Sequence, residues 1–321
     1  MTPADAHILV TGATGRHGAT GAHVARRLLE EGSTVRVLAR AHSDRTDALA
    51  AAGAEVVTGD LHDRRTLLPA LADVGLAYFT YPVAAGVVSA AANYSAAVRE
   101  AGHDIRTVVM SMAPAHPSHP SELGRAQWLA EEVMSWAGLE TLVLRVAATF
   151  HENIPPLHGD SIRKTGVLRN CFGDSPVGWI SGSDAGELAV AALLHPDRFD
   201  GPVCYTAGSE AFNHIDIAQI LTQELNRPIT YQAISRDDWQ QELLAVAQAD
   251  PHGVVNSAMA AHISNVGEAG AQRGAAPADP IALSRLIGRT PITLWDFVRR
   301  NRAAFETTDY AAVRSAGSLV T

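Results

Sequence analysis

HILVTGATGRHG, residues 7 to 18, is the stretch whose reading decides the fold. Ile8-Leu9-Val10 has the apolar run of a buried strand, Thr11 to Gly15 make a tight turn, and a helix opens near Arg16. Gly12, Gly15 and Gly18 are three residues apart. A phosphate needs backbone N–H groups aimed at it with no Cβ in the way, and a helix N-terminus adds partial positive charge at the same place. Gly12 allows the turn, Gly15 the close approach of a pyrophosphate, and Gly18 the packing of helix on strand. Thr14, Arg16 and His17 share that turn. Apolar residues follow at helical spacing (Ala22, Val24, Ala25, Leu28, Leu29). A strand before and a helix after are the context in which such glycines bind a nucleotide.

Working outward, strand-like and helix-like runs alternate, as they do in a parallel sheet with helices on both faces. The predicted strands are 7–11, 34–39, 55–58, 75–80, 106–111 and 140–146. The predicted helices are 17–31, 44–52, 63–72, 84–101 and 121–137. Glycines at 32, 53 and 102 stop three of them. The class is α/β, a doubly wound parallel sheet followed by a smaller part.

Composition excludes several functions. With 321 residues the chain is long enough for a large core, and a net charge of −9 gives no basic footprint for nucleic acid. Two cysteines, Cys171 and Cys204, make no disulfide framework and point to a reducing, cytoplasmic setting. A nucleotide turn beginning at residue 11 leaves no room for a signal peptide ahead of it. The uncharged run from Val74 to Val98 has the length of a membrane span, but Pro82, Gly86 and Asn93 divide it into strand, loop and helix. No membrane partner is expected.

Ligands on such sheets sit beyond the carboxyl ends of the strands. The second strand ends at Arg40, about twenty residues past the last glycine, with Ser43 close behind. An acid there would bond a ribose 2′-hydroxyl, whereas an arginine fork suits a 2′-phosphate. The third strand runs into Asp60-Leu61, where Asp60 either bonds an adenine amine or caps the helix at 63. The fourth ends Tyr78-Phe79-Thr80-Tyr81-Pro82, with Val83 next, and the fifth carries Ser111 at its tip.

TGATGRHG, the strand end LAR, the run GDLHD, and later TLVLRVAATFHEN and GWISGSDAGELA resemble the NmrA-like branch of the atypical short-chain dehydrogenase/reductases. The resemblance spans roughly 7–305. It implies a Rossmann sheet binding NADP(H), with a C-terminal part forming a substrate cleft. It assigns Gly12, Thr14, Gly15, Arg16 and Gly18 to the phosphates, Arg40 to the 2′-phosphate and Asp60-Leu61 to the adenine. Tyr81, Pro82 and Val83, with Ala147, Ala148 and Phe150, border the nicotinamide, and Asn153 borders the substrate. Gln127, ahead of Glu131, stands where many members carry Lys or His. The implied domains are 1–150 for the cofactor, completed by later segments, and 151–306 for the substrate, followed by a frayed tail, 307–321.

The proton chemistry is narrower than in ordinary short-chain dehydrogenases, whose Tyr-x-x-x-Lys pair lowers a phenol pKa. Lys164 is the only lysine, and Asp160 stands four residues before it, so the pair is absent. Tyr81, Ser111 and Gln127 remain as catalytic candidates. His116 and His119, in a Pro-stiffened loop, with Phe150, Asn153 and Trp179, are candidate substrate contacts. The expected activity is hydride transfer from NADPH to a small carbonyl, quinone, enone or imine by a monomer or homodimer. The alternative is a non-catalytic NADP(H) sensor that binds a partner protein.

Past residue 150 the pattern loosens. HENIPPLH lacks the H-E-x-x-H spacing, and Pro155-Pro156 argue against the helix that motif needs, so no metal is expected. The reading there is a loop over 155–175, a helix capped by Ser183-Asp184, and a strand near 203–206. A helix at 214–226, a strand at 229–233 and a helix opening at Asp237 come next. A short helix with a mobile loop over 251–280 and a last helix over 292–305 complete it.

Overall fold

The computed structural model describes residues 7–15, 19–113, 115–147, 149–274 and 276–306. Six strands fall within a residue or two of their predicted places: β1 His7–Val10, β2 Val35–Ala39, β3 Glu55–Thr58, β4 Val74–Phe79, β5 Arg106–Met112 and β6 Thr141–Val146. The helices between them are α1 Thr20–Glu30, α2 Asp44–Ala51, α3 Leu68–Leu71, α4 Val87–Ala101 and α5 Glu122–Trp136. Then come β7 Thr149–Phe150, α6 Ile154–Thr165, β8 Val167–Asn170, β9 Val177–Ile180, α7 Gly182–Leu194, β10 Val203–Thr206 and β11 Glu210–Phe212. The chain closes with α8 His214–Leu225, β12 Thr230–Ala233, α9 Arg236–Ala249, α10 Ser257–Arg273, α11 Pro280–Ile287, α12 Leu294–Arg300 and α13 Ala303–Glu306.

Seven parallel strands form one sheet in the order β10-β6-β5-β4-β1-β2-β3. The order reverses between β1 and β4, which opens a crevice at their carboxyl ends. Apolar side chains of α1, α7 and α11 (Val24, Leu28, Leu188, Leu283) pack on one face. Those of α3, α4 and α5 (Leu71, Ala91, Tyr94, Met134) cover the other. A third core joins α6, α8, α9, α10 and α12 to two small sheets, β11-β9-β7 and β12-β8. β10 joins the large sheet and α7 packs on its face, although both follow residue 150 in the chain.

Three local readings change. Residues 155–175 are not a loop: Pro155 and Pro156 sit in the first turn of α6, where no intrahelical N–H is required, so they start the helix. The cap of α7 is Ser181, whose hydroxyl accepts from the Asp184 amide, and not Ser183. Residues 257–273 form one helix of 17 residues, α10, started by Asn256 accepting from the Met259 amide. The tail 307–321 lies outside the described residues. Among the described residues no helix is long and apolar enough to cross a membrane.

The third core carries a cost. His151, His158 and His214 are buried among aromatic rings; His151 lies against Trp179 and Phe297, and His158 stacks on Trp239. Burial pushes His151 down to about 3 and His158 to about 4, and holds His214 well below its ordinary value. These rings are therefore neutral in the fold, and below about pH 6.5 the unfolded chain binds the protons first. Their contribution is complete above pH 6.5 and is lost as the pH falls. Neither ring nitrogen of His151 has a hydrogen-bond partner. His151→Phe should flatten the pH dependence of urea unfolding between pH 7 and 5, by about 2 kcal/mol at pH 5. Parallel curves for variant and wild type would contradict the assignment.

Candidate active site

The glycine turn is fixed by two strand ends. The Thr11 hydroxyl donates to the Thr80 carbonyl (3.0 Å) and accepts from the Thr80 amide (2.9 Å), which ties β1 to β4. Gly12 has φ +67°, and a Cβ there would stand 2.5 Å from Thr80 Cγ2. The Gly15 amide donates to the Gly12 carbonyl (2.9 Å). The Arg45 guanidinium donates to the Thr14 carbonyl (2.8 Å). The helix begins at Thr20, later than expected, and its close approach is made by Gly21, where a Cβ would lie 2.6 Å from the Gly12 carbonyl. Gly21 is the next step of the same three-residue spacing and was legible in it. Arg16, His17 and Gly18 lie outside the described residues, as does Ala148.

Arg40 is exposed just past the carboxyl end of β2. Ser43 caps α2, accepting from the Thr46 amide. Asp60 accepts from the His62 amide (2.9 Å), closing its own turn, and Asp63 caps the short helical turn Arg64–Thr66. Leu61 packs half-buried on the second face of the sheet. The Tyr81 phenol joins these ends: burial raises its pKa, Asp60 raises it further, and Arg40 opposes them. Its hydroxyl donates to the Ala85 carbonyl (3.1 Å) and lies 2.7 Å from His62 Nε2.

Past the turn opens a cleft, partly open to solvent. Its near wall is Gly12, Gly15 and Gly21, followed by Thr80, Tyr81, Pro82 and Val83. Its floor is the tip of β5 with Gln127 of α5 and Ala147, and Phe150 and Asn153 border it. Met259, His262 and Ile263 of α10 line it as well. The cleft is held shut from that side by Asn256, whose amide donates to the Val83 carbonyl (2.9 Å).

Three polar groups here differ in what they offer. Ser111 Oγ donates to Glu131, whose carboxylate is gripped by Arg145 (3.0 Å from Nε, 2.5 Å from NH2). With its hydrogen so committed, Ser111 offers only acceptor lone pairs. Gln127 presents an amide that does not titrate. Asn153 is 3 % exposed, and neither its amide nitrogen nor its oxygen has a partner. Each such buried orphan costs about 1–3 kcal/mol against a whole-domain stability of about 5–15. The cleft it borders is where a bound molecule would supply both partners.

His262 was not found from the sequence, because the Ala/Gly-rich stretch around it gave no firm helical signal. Its Nδ1 lies 2.5 Å from Ser121 Oγ, and its ring stacks on His119. His119 is buried, with its pKa lowered by that burial, and its Nδ1 accepts from the Ser121 amide (3.0 Å). Two expected substrate contacts do not line this cleft. His116 is exposed, its Nδ1 accepting from the Ser118 amide within its own loop. Trp179 is 3 % exposed in the third core, its indole N–H donating to the Phe212 carbonyl. Among the described residues no group of side chains could hold a metal ion.

The model of the NmrA-like family matches residues 4–296. The chain is 27% identical over 249 residues to an NAD(P)H azoreductase of Xenophilus azovorans, covering 76% of this chain and 82% of that protein. It is 32% identical over 243 residues to the (4-alkanoyl-5-oxo-2,5-dihydrofuran-3-yl)methyl phosphate reductase of Streptomyces griseus, covering 74% and 80%. In structure it is similar to an NADPH-dependent quinone oxidoreductase of Escherichia coli complexed with NADPH. There the TM-score is 0.75 at 24% identity, over 91% of this chain and 99% of the other.

Arg40 is the cation at the end of β2, so it should select for a 2′-phosphate. Titrating NADPH and NADH by fluorescence should show a preference for NADPH on the order of 10- to 100-fold. Arg40→Ala should remove most of it. Equal affinities in the wild type would overturn the assignment.

Proposed function

Because the chain belongs to the NmrA-like family, we propose that it is an NADPH-dependent reductase of the atypical short-chain dehydrogenase/reductase type. Its substrate is a small conjugated acceptor: a carbonyl, quinone, enone or imine. The observation that carries this reading is the cleft itself. It runs from glycines that leave no room for a Cβ to the unpartnered amide of Asn153. A bare cofactor-binding module has no need of the wall that α10 adds. The azo, furanone and quinone substrates in the names of similar proteins are acceptors of this kind.

The residues present fit NADP(H). Gly12 and Gly15 leave the backbone bare where a pyrophosphate approaches, Gly21 lets α1 close on that turn, Arg40 meets the 2′-phosphate, and Asp60 faces the adenine side. Bound there, NADPH supplies a hydride to the acceptor. Val83, Ala147 and Phe150 exclude water, and Asn153 orients the polar end of the acceptor. Positioning of this kind lowers a barrier by several kcal/mol when the reacting atoms are held at about 3–3.5 Å. The proton that completes the reduction comes from His262 or from water, since Ser111 and Tyr81 already direct their hydrogens to Glu131 and Ala85.

The same two commitments, with the non-titrating Gln127, favour the second reading, an NADP(H) sensor that docks a partner protein. NADPH oxidation followed optically separates the two across a panel of quinones, enones, aldehydes, cyclic imines and azo compounds. Turnover of quinones or enones is expected, and His262→Gln should lower kcat about 10²-fold or more. Tight NADPH binding with no turnover on any compound would overturn the reductase reading in favour of the sensor.

A further inference from the structure

Between α5 and α10, two imidazole rings meet at one hydroxyl. Ser121 Oγ lies 2.5 Å from Nδ1 of His262 and 3.1 Å from Nδ1 of His119. The two rings stack with centroids 5.6 Å apart and planes 18° from parallel. His262 borders the cleft described above, and His119 borders a second, largely apolar cavity. The surroundings are shaped to admit both rings. Gly124, in the first turn of α5, lacks the Cβ that would overlap the His119 ring. The Arg125 guanidinium donates to the His119 carbonyl (2.8 Å), and the His119 amide donates to the His116 carbonyl (3.0 Å). The loop that carries His119 is thereby held against α5.

Counting hydrogens decides where each one lies. A neutral imidazole has one N–H and one lone pair, and a hydroxyl has one hydrogen and two lone pairs. The Ser121 amide donates to His119 Nδ1 (3.0 Å), so that nitrogen carries the lone pair and His119 keeps its hydrogen on Nε2. Burial lowers the His119 pKa, which favours the neutral ring. Ser121 Oγ accepts from the Gly124 amide (3.0 Å). At 3.1 Å from His119 Nδ1, a lone pair of Oγ would face a lone pair of the ring unless the hydroxyl hydrogen lies between them. Amide and hydroxyl then share that nitrogen in a three-centre bond. With the hydroxyl hydrogen so used, the 2.5 Å contact with His262 needs a hydrogen from the ring itself. His262 therefore carries its hydrogen on Nδ1, and Nε2 is the nitrogen left for the cleft.

We propose that Ser121, backed by His119, is the positioning residue that holds His262 with its hydrogen on Nδ1, so that Nε2 delivers the proton completing the reduction. The proposal rests on the reading that the cleft holds NADP(H) and an acceptor, and it chooses His262 over water as the donor. After hydride transfer the acceptor carries negative charge on an oxygen or nitrogen. The Nε2–H bond of the protonated ring breaks there, and an O–H or N–H bond forms. The ring is left neutral with its Nδ1 hydrogen still on Ser121, and its Nε2 lone pair takes the next proton from water in the cleft. With the hydrogen on Nε2 instead, the neutral ring would have no lone pair facing the cleft to recharge. Which nitrogen of an imidazole does the chemistry is set by the bond that the other one makes. An acid held in this way contributes about 10²–10⁴ in rate.

Two measurements on the full chain test this. In protein labelled with ¹⁵N-histidine, at alkaline pH, long-range ¹H–¹⁵N spectra report which ring nitrogen carries the hydrogen. His262→Gln and His119→Gln identify the two rings by the signals they remove. The hydrogen should lie on Nδ1 in His262 and on Nε2 in His119. His119→Phe keeps a stacked ring but offers no lone pair, so the Ser121 hydrogen should turn to His262 and shift that ring's hydrogen to Nε2. The second measurement is NADPH oxidation with menadione, a small quinone. His119→Phe and Ser121→Ala should lower kcat about ten-fold or more with the KM for NADPH unchanged. Ser121→Thr, which keeps the hydroxyl, should retain the wild-type kcat. A hydrogen on Nε2 of His262 in the wild type, or wild-type kcat in His119→Phe, would overturn the proposal. Absence of turnover by the wild type would contradict the reductase reading, and the spectra read the tautomer without it, so the two can fail independently.

Discussion

Everything in the site depends on how closely β1 and β4 approach each other at their carboxyl ends. Gly12 lies so near Thr80 that a methyl group would not fit between them, and the Thr11 hydroxyl bonds both backbone groups of Thr80. Tyr78 adds a buried bond from its hydroxyl to Thr20 at the start of α1 (3.0 Å). Each bond is worth about 1 kcal/mol net. Their larger effect is geometric: they fix the turn and the β4 loop relative to each other. The glycine-turn side and the β4-loop side of the crevice are set by that one junction.

The second half of the chain closes the crevice. Its chief device is Asn256, which uses its oxygen to start α10 and its amide to hold the Val83 carbonyl on the far side. The Ser121 hydroxyl joins α10 to α5 in a similar way: it accepts from the Gly124 amide and lies against the His262 ring. The α5 junction also needs Gly124, since a Cβ there would overlap the His119 ring. The cleft is thus bounded by groups whose hydrogen bonds are spent on holding walls in place. Asn153, with neither polar atom of its side chain bonded, borders the space left open.

The first half of this fold was legible because its signals are local. Short apolar runs mark the strands, and the glycine spacing marks the crevice. The second half was less legible for identifiable reasons. Pro155-Pro156 break helices in their interiors but begin them in the first turn, and the sequence alone did not distinguish the two positions for α6. The stretch around α10 is rich in Ala and Gly because its one face borders cavities, so the apolar period that marks a packed helix is diluted. That same dilution hid His262. Trp179 looked like a binding-site aromatic because it follows a glycine-rich stretch, yet β9 carries it into a core. Gly21 and Asn256 were visible as residue types but acquire meaning only from the backbone atoms they meet.

The central claim is that the junction of β1 and β4 positions one cofactor so that its reactive ring faces the cleft beneath α10. A crystal structure of the full chain with NADP⁺ tests it most directly. The account predicts the pyrophosphate over Gly12 and Gly15, the nicotinamide ring between Val83 and Ala147, and the Asn153 amide bonded to the cofactor or to an acceptor beside it. A nicotinamide ring lying outside the cleft, with Asn153 still unpartnered and α10 covering the turn, would contradict it.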